Sequence, residues 1–214
     1  MKTQSKVLVL ALSAMLLVGA SVLGTMAFLK SSDSVVNTFT VGSVKIKLDE
    51  AKVNKDGSYV SDHDARVKEN EYHLLPGHTY IKDPTVTVLK GSEASYVRML
   101  VTVNEQADLD EIFAPSGANL ISIFGGVSSD WTLYGEKENN DDTRTYEFRY
   151  KNTVAALDND VVLDDLFETI TVPSSITGEQ LAKIADLKIT VIANAIQADG
   201  FDNADAAWAA FGDN

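Results

Sequence analysis

A run of alternating residues between positions 96 and 103 constrains the fold more than any other stretch of the chain. Its odd positions are all apolar: Val97, Met99, Val101 and Val103. Because successive side chains of a strand point to opposite faces of a sheet, the run predicts a strand with one buried face. Similar alternation occurs at 44–48, 86–88, 146–150 and 187–195. Many short strands separated by turns, without long helices, predict a mainly β protein built as an antiparallel β-sandwich.

The segments between these strands carry turn and loop signals. Residues 51–71 are charged and rich in turn formers, which predicts a hairpin or an exposed loop with a tight turn at 54–57. Pro84 has no N–H, so the strand after it is expected to lie at a sheet edge or to begin anew there. Residues 131–134 and 146–150 flank a polar tip and predict a hairpin. Residues 166–172 predict a further strand ended by Pro173.

Three short helices are predicted as insertions between or after the strands. The first lies between Gln106 and Phe124, where Leu109, Ile112 and Phe113 have helical spacing; Asp108 is its expected N-cap and 115–117 its expected stop. The second begins with Thr177 and Gln180, which have the spacing of a capping box, and runs through Ile184. The third is capped by Asn203 and places Trp208 and Phe211 on one face.

The N-terminus has the layout of a secretory signal peptide over residues 1–27, which is expected to be helical. Two lysines precede an apolar run at 7–23, and small residues occupy the positions before Phe28. We therefore expect cleavage between Ala27 and Phe28 and a single mature domain of residues 28–214. The alternative is an uncleaved anchor, since the apolar run approaches the roughly 20 residues that a membrane-spanning helix needs.

Three blocks of the chain resemble the TasA/camelysin family and occur in that family's order. The first joins Phe28 to Asn37-Thr38-Phe39, Gly42 and the strand at 44–48. The second contains Leu75-Pro76-Gly77, the run 82–86, Gly91-Ser92-Glu93 and Tyr96-Val97-Arg98. The third is the run 193–198 with Trp208 behind it.

The resemblance implies a jelly-roll-like sandwich with helical insertions, processing by a dedicated signal peptidase, and a place in biofilm matrix or on the cell surface. Fibre-forming members of the family are understood to donate an N-terminal segment into a neighbouring subunit. In this chain the corresponding donor strand is 28–40, whose apolar residues are Phe28, Leu29, Val35, Val36 and Phe39. We therefore expect a secreted homopolymer formed by donor-strand exchange after cleavage. The sequence leaves open whether an accessory protein anchors or nucleates it, and whether the segment folds back to give a monomer.

Composition excludes several other classes of protein. The chain has 31 acidic and 18 basic residues and a net charge of −13, so it repels phosphate backbones and is not expected to bind nucleic acid. An apolar content of 45% is enough for a packed core. Cysteine is absent, which excludes disulfides and lipid attachment through a cysteine.

Residues that could support catalysis or metal binding are few, and we expect neither an enzyme nor a cofactor. The three histidines, His63, His73 and His78, do not form an H-E-x-x-H motif, and no G-x-S-x-G is present. Camelysin-like proteins have been regarded as metallopeptidases, so zinc between His73 and His78, with Glu71 or Asp83, is one alternative. Calcium at the acidic stretches 62–64, 138–142 or 158–165 is another, although none has EF-hand spacing.

Two functions from other classes therefore remain beside the fibre subunit. One is a secreted metal-dependent peptidase, which would lose proteolysis when a chelator removes its metal. The other is a monomeric surface binding module, which would keep one mass at all concentrations. Assembly state separates this module from the fibre subunit, because contacts that do not close on themselves produce fibres.

Overall fold

The computed structural model describes residues 42–113 and 124–212, together with Leu12, which is helical and exposed. The chain divides into two compact units, Met1–Thr40 and Val41–Asn214, and the strands described here belong to the second. Apart from Leu12, the predicted signal peptide lies outside the described residues, and so do its cleavage site between Ala27 and Phe28 and the predicted donor strand 28–40. The predicted helix stop at 115–117 does so as well.

The protein is mainly β, as predicted, and the pairings between the strands of the described residues are antiparallel. The described residues form β1 (Ile46–Ala51), β2 (Arg66–Val67), β3 (Thr79–Ile81), β4 (Thr85–Val88), β5 (Ser92–Val103), β6 (Phe124–Gly125), β7 (Trp131–Glu138), β8 (Arg144–Tyr150), β9 (Val154–Ala156), β10 (Val161–Val162), β11 (Thr169–Thr171) and β12 (Ile189–Gln197). They also form three short helices, α1 (Gln106–Phe113), α2 (Gly178–Lys183) and α3 (Ala204–Phe211).

These strands make three sheets. The first has the order β10-β4-β1-β2, and the second has the order β3-β11-β6. The third has the order β12-β5-β8-β7, with β9 also pairing with β5. Strand β5 is therefore the centre of the largest sheet, flanked by β12 and β8 over most of its length.

The sheets share one hydrophobic core. The four apolar residues whose alternation predicts β5, from Val97 to Val103, are each at most 1% exposed, which confirms that prediction. Val86 from β4, Phe148 from β8 and Ile170 from β11 belong to the same buried cluster. Full burial of one such side chain contributes about 1.5–3 kcal/mol, so this shared cluster is the main source of stability.

Of the two alternatives for the strand after Pro84, a new start is confirmed and an edge position is wrong. Strand β4 begins anew at Thr85, directly after the proline, but it lies between β10 and β1 and not at a sheet edge. Pro84 precedes the first paired residue of β4, so its missing N–H removes no bond from the ladder. Its carbonyl oxygen accepts a hydrogen bond from the backbone N–H of Leu166 at 3.0 Å.

The segment 51–71 combines both forms that were expected. Its last part includes β2, which pairs with β1 only at Glu50↔Val67 and Ala51↔Arg66. The tight turn at 54–57 is closed by a hydrogen bond from the Gly57 N–H to the Asn54 carbonyl at 2.9 Å. The strand expected at 166–172 is shorter, because only Thr169–Thr171 pairs with neighbouring strands.

Helix α1 contains Leu109, Ile112 and Phe113 as predicted, but it begins earlier, at Gln106, and the prediction that Asp108 caps it is wrong. Asp108 lies inside the first turn, and the cap comes from the tip of the β7–β8 hairpin. The N–H of Ala107 donates to Asp142 Oδ1 at 2.9 Å, and the N–H of Gln106 donates to the Asp142 carbonyl at 3.2 Å. A long-range contact thus satisfies the free donors that a local residue was expected to satisfy.

The other two helix starts are confirmed. The N–H of Gln180 donates to Thr177 Oγ1 at 3.3 Å, and the N–H of Thr177 donates to Gln180 Oε1 at 2.9 Å, which completes the capping box of α2. Asn203 caps α3 by accepting from the N–H of Ala206 at 3.0 Å. Within the described residues, no helix combines the length and the apolar character that crossing a membrane requires.

Candidate functional site

A groove with a volume of about 1190 Å³ lies between β1 on one side and β12 with α2 on the other. Its walls carry apolar side chains that pack against the core but stay partly accessible: Ile46, Leu48, Leu74, Leu187, Ile189 and Val191. Apolar surface that remains half covered can be buried further by an added segment, with a gain of about 25 cal/mol per Å². The groove is therefore a place where the core can be extended.

Two strands that border the groove have a free edge within the described part of the chain. Strand β12 pairs with β5 from Ile189 to Gln197 and with no other described strand. Strand β1 pairs with β4 from Ile46 to Asp49, whereas β2 covers its opposite edge only at Glu50 and Ala51. A free edge presents backbone N–H and C=O groups to any strand that can reach them.

A buried polar cluster, consisting of Glu50, Lys82 and Asn70, contributes side chains to the same groove. Lys82 Nζ donates to Glu50 Oε2 at 2.5 Å, and Asn70 Nδ2 donates to Glu50 Oε1 at 2.9 Å. The Lys82 and Glu50 side chains are each 9% exposed. Because charges are removed from water only at a cost of several kcal/mol each, such a pair needs close partners like these.

A second ionic group lies beside this cluster and joins β1 to β2. Arg66 Nε donates to Asp49 Oδ1 at 2.9 Å, and Arg66 Nη1 donates to Asp83 Oδ2 at 2.6 Å. Burial raises the pKa of Asp49, but hydrogen bonds from Lys47 and Arg66 outweigh it, so the pKa lies below its usual value. The carboxylate of Asp49 therefore stays ionised and keeps Arg66 in place.

Two tyrosines line the same groove as the polar cluster. The Tyr72 and Tyr80 rings meet edge to face, with centroids 5.9 Å apart. The Tyr72 hydroxyl donates to the Ile81 carbonyl at 3.1 Å, and the Tyr80 hydroxyl donates to the His73 carbonyl at 2.7 Å. Burial raises the pKa of Tyr72, and the negative charge of Glu50 adds to this effect. The Tyr72 phenol therefore remains neutral at physiological pH.

The structure does not bring the predicted zinc residues together. His78 lies beside Tyr80, with ring centroids 6.3 Å apart, whereas His73 lines the groove. The carboxylates proposed as further ligands are engaged elsewhere, because Glu71 pairs with Lys55 at 2.8 Å and Asp83 pairs with Arg66. In the ranges 42–113 and 124–212, no group of three or more His, Asp or Glu side chains has the arrangement of a metal site.

The acidic stretches also make mainly internal contacts. In 138–142, Glu138 pairs with Arg144 at 2.6 Å, while Asp142 caps α1. In 158–165, Asp160 accepts from the Lys90 N–H at 2.7 Å. The hydrogen bond with Asp130 raises the pKa of Asp164, with burial and the negative charge of Asp130 adding to it, as expected for two adjacent carboxyl groups.

Sequence reasoning missed both the groove and the polar cluster. The cluster had a signal, because Glu50 continues the series Ile46 and Leu48 on the side of β1 that was predicted to be apolar. The groove had no such signal, because β1 and β12 are separated by most of the chain. The donor side chains from Phe28 to Phe39 lie outside the described residues, so their relation to the groove stays a prediction.

Comparison with known proteins adds no family to this description. No protein-family model matches the chain, no curated protein matches it, and no solved structure matches it.

Proposed function

We propose that this protein is a secreted structural subunit of extracellular-matrix or cell-surface fibres. The observation that carries the proposal is the groove, which combines half-covered apolar side chains with edges of β1 and β12 that no strand of the described residues covers. Strand addition uses both features, since the edge supplies backbone hydrogen bonds and the apolar positions select alternate side chains of the incoming strand. A subunit that offers such an acceptor and carries its own donor polymerises head to tail.

The proposed donor is the segment 28–40 of a neighbouring copy. Fully extended at about 3.3 Å per residue, its thirteen residues reach roughly 43 Å, which exceeds the roughly 30 Å spanned by the nine residues of β12. Val35 and Phe39 lie an even number of residues apart, so in an extended segment they face the same side. They are the side chains proposed to enter the groove.

The proposal includes a jelly-roll-like arrangement of the sheets as a sandwich and a signal peptide over residues 1–27. Removal of the signal by a dedicated signal peptidase after Ala27 frees the donor, so export and assembly are coupled. The resemblance of residues 28–48, 75–98 and 193–208 to the TasA/camelysin family supports this reading. The net charge of −13 keeps unassembled subunits apart and soluble.

Negative-stain electron microscopy of purified protein tests the proposal. One sample begins at Phe28, and the other carries a removable extension before that residue. We expect filaments only after the extension is removed. Filaments from a chain that lacks residues 28–36 would rule out donation by that segment, and uniform single particles from every sample would favour the monomeric binding module.

Substitutions on β12 test the acceptor. Val191→Glu places a charge on the groove side of the strand, where Val191 pairs with the buried Val101, and should abolish filaments. Ile192→Glu is the matched control, because Ile192 borders the groove but is 51% exposed, and the alternation of a strand points its side chain to the face opposite that of Val191. Circular dichroism verifies that both variants fold. Equal loss of filaments in both would place the contact elsewhere, and chelator-sensitive proteolysis by the parent protein would support the peptidase.

A further inference from the structure

The Glu50 carboxylate contacts two groups that could react with each other. One of its oxygens accepts from the Lys82 amine at 2.5 Å, and the other accepts from the Asn70 carboxamide at 2.9 Å. A nucleophile and an acyl group are thus hydrogen-bonded to the same carboxylate. A group placed in this way can carry a proton from one to the other, which is the task of a general acid–base catalyst.

The surroundings keep water away from the reacting groups. The Lys82 and Glu50 side chains are each 9% exposed, and Tyr72 and Tyr80 line the same groove. Excluding water strengthens the contacts inside the cluster and reduces competition from hydrolysis. Asn70 is only half-buried, so a small leaving group has a route to solvent.

A backbone donor is already aimed at the Asn70 carbonyl. The N–H of Val53 donates to Asn70 Oδ1 at 3.1 Å, and Asn70 Nδ2 also donates to the Ala51 carbonyl at 2.9 Å. These two bonds fix the plane of the carboxamide. When a nucleophile adds to the Asn70 Cγ, negative charge develops on Oδ1, where the Val53 N–H stabilises it as an oxyanion-hole donor does.

We propose that Lys82 and Asn70 become joined by an intramolecular isopeptide bond, with Glu50 as the catalytic residue. This inference concerns the cluster alone and does not depend on fibre formation. No other enzyme or co-reactant is needed, because the amine, the carboxamide and the proton carrier all belong to this chain.

The atoms balance as follows. Lys82 passes a proton to Glu50, and the neutral Nζ attacks Asn70 Cγ to form the new C–N bond. Glu50 gives its proton to Nδ2 and takes a second proton from Nζ. The bond between Cγ and Nδ2 then breaks, ammonia leaves, and the proton remaining on Glu50 departs with it as ammonium. The protein becomes lighter by one ammonia, with no oxidation or reduction.

The bond would close a loop of thirteen residues, 70–82, that contains the Pro76-Gly77 turn and β3. Cross-linking a loop of this size stabilises a protein mainly by restricting the unfolded chain. From the entropy of such a loop we expect a melting temperature higher by roughly 5–10 °C than that of the uncross-linked chain.

Intact mass spectrometry of the purified full chain, followed by cleavage after glutamate, tests the proposal. We expect a mass one ammonia below that of the sequence. Cleavage after Glu71 separates Asn70 from Lys82, so in the cross-linked protein the two fragments remain attached. Ring closure at Asn70 alone also releases ammonia but leaves the fragments separate, and that result would overturn the proposal. A folded chain with its full sequence mass would overturn it too, and would leave Lys82 and Glu50 as an ordinary buried ion pair.

Two matched variants identify the catalyst. Glu50→Gln keeps the size of the side chain but cannot carry the proton, so it should keep its full calculated mass and separate after cleavage. Glu71→Gln makes the same change at an exposed residue and should still lose ammonia, with the branched peptide then sought by a protease of different specificity. Should Glu50→Gln fail to fold, the mass and cleavage products of the parent chain decide the question alone. A cross-link that forms equally well in folded Glu50→Gln would remove Glu50 from the proposed step.

Discussion

Replacement of Trp208 by alanine tests whether the C-terminal helix α3 is part of the cooperative fold. Trp208 is 5% exposed, and its ring lies 4.6 Å from the guanidinium carbon of Arg98, which is itself 6% exposed. Removing a buried aromatic side chain costs about 3–5 kcal/mol, of which the cation–π contact supplies roughly 1–2 kcal/mol. In a domain of this size each kcal/mol lowers Tm by about 2–4 °C, so we expect Tm to fall by about 10 °C.

Thermal unfolding followed by circular dichroism measures this effect. Ala209→Gly is the control, because Ala209 is exposed on the same helix and the change weakens the helix by only about 1 kcal/mol. A double-mutant cycle with Arg98→Met and Trp208→Ala isolates their coupling, expected at about 0.5–2 kcal/mol. If Trp208→Ala lowers Tm by less than about 2 °C, the docking of α3 on the third sheet is refuted.

Two further predictions concern single carboxylates. Asp142→Gly should lower stability by about 1 kcal/mol in chemical denaturation, because it removes the cap of α1 while permitting the φ of 56° at that position. Asp142→Asn keeps an acceptor oxygen and should stay close to the parent, and equal losses in both variants would contradict the capping role. Asp165→Asn should raise Tm at pH 7, because burial raises the pKa of Asp165 in the folded state. Because the folded pKa lies above the unfolded value of about 3.9, the stability of the parent falls as pH rises from about 3.9 through the folded pKa. The gain in Tm from Asp165→Asn should therefore vanish below about pH 3.9. A gain in Tm that does not depend on pH would contradict burial of Asp165 as its cause.

Local patterns predicted the elements whose partners are near in sequence or whose burial is strictly periodic. The alternation in β5 predicted its buried face correctly, because every second side chain of this central strand packs into the core. The spacing of Thr177 and Gln180 predicted the start of α2 correctly, because both capping hydrogen bonds join residues only three apart. Asn203 found the start of α3 for the same reason.

Features set by distant partners were not predictable in this way. The cap of α1 comes from Asp142, thirty-five residues away from Ala107, so the local candidate Asp108 was chosen instead. The position of β4 inside a sheet was also not predictable, because Pro84 is equally compatible with an edge strand and with a strand that begins after it. The groove exists because β1 and β12 lie near each other. The residue pattern within a single strand carries no information about which distant strand lies beside it.

The polar cluster was predictable in part. Glu50 stands at an inward position of an otherwise apolar series, and a charge at such a position requires a partner. The pattern could therefore have predicted that Glu50 is paired. It could not have predicted Lys82 and Asn70, because loop geometry brings both to the same carboxylate.

The central claim, that residues 28–40 of one copy occupy the groove of another, is tested most directly by mixing two defective chains. A chain lacking 28–40 can accept but not donate, and a Val191→Glu chain beginning at Phe28 can donate but not accept. Light scattering on a sizing column should find each alone as a monomer and an equal mixture as a one-to-one dimer that does not grow. Monomers in the mixture, from chains that circular dichroism shows to be folded, would contradict donor-strand exchange through this groove.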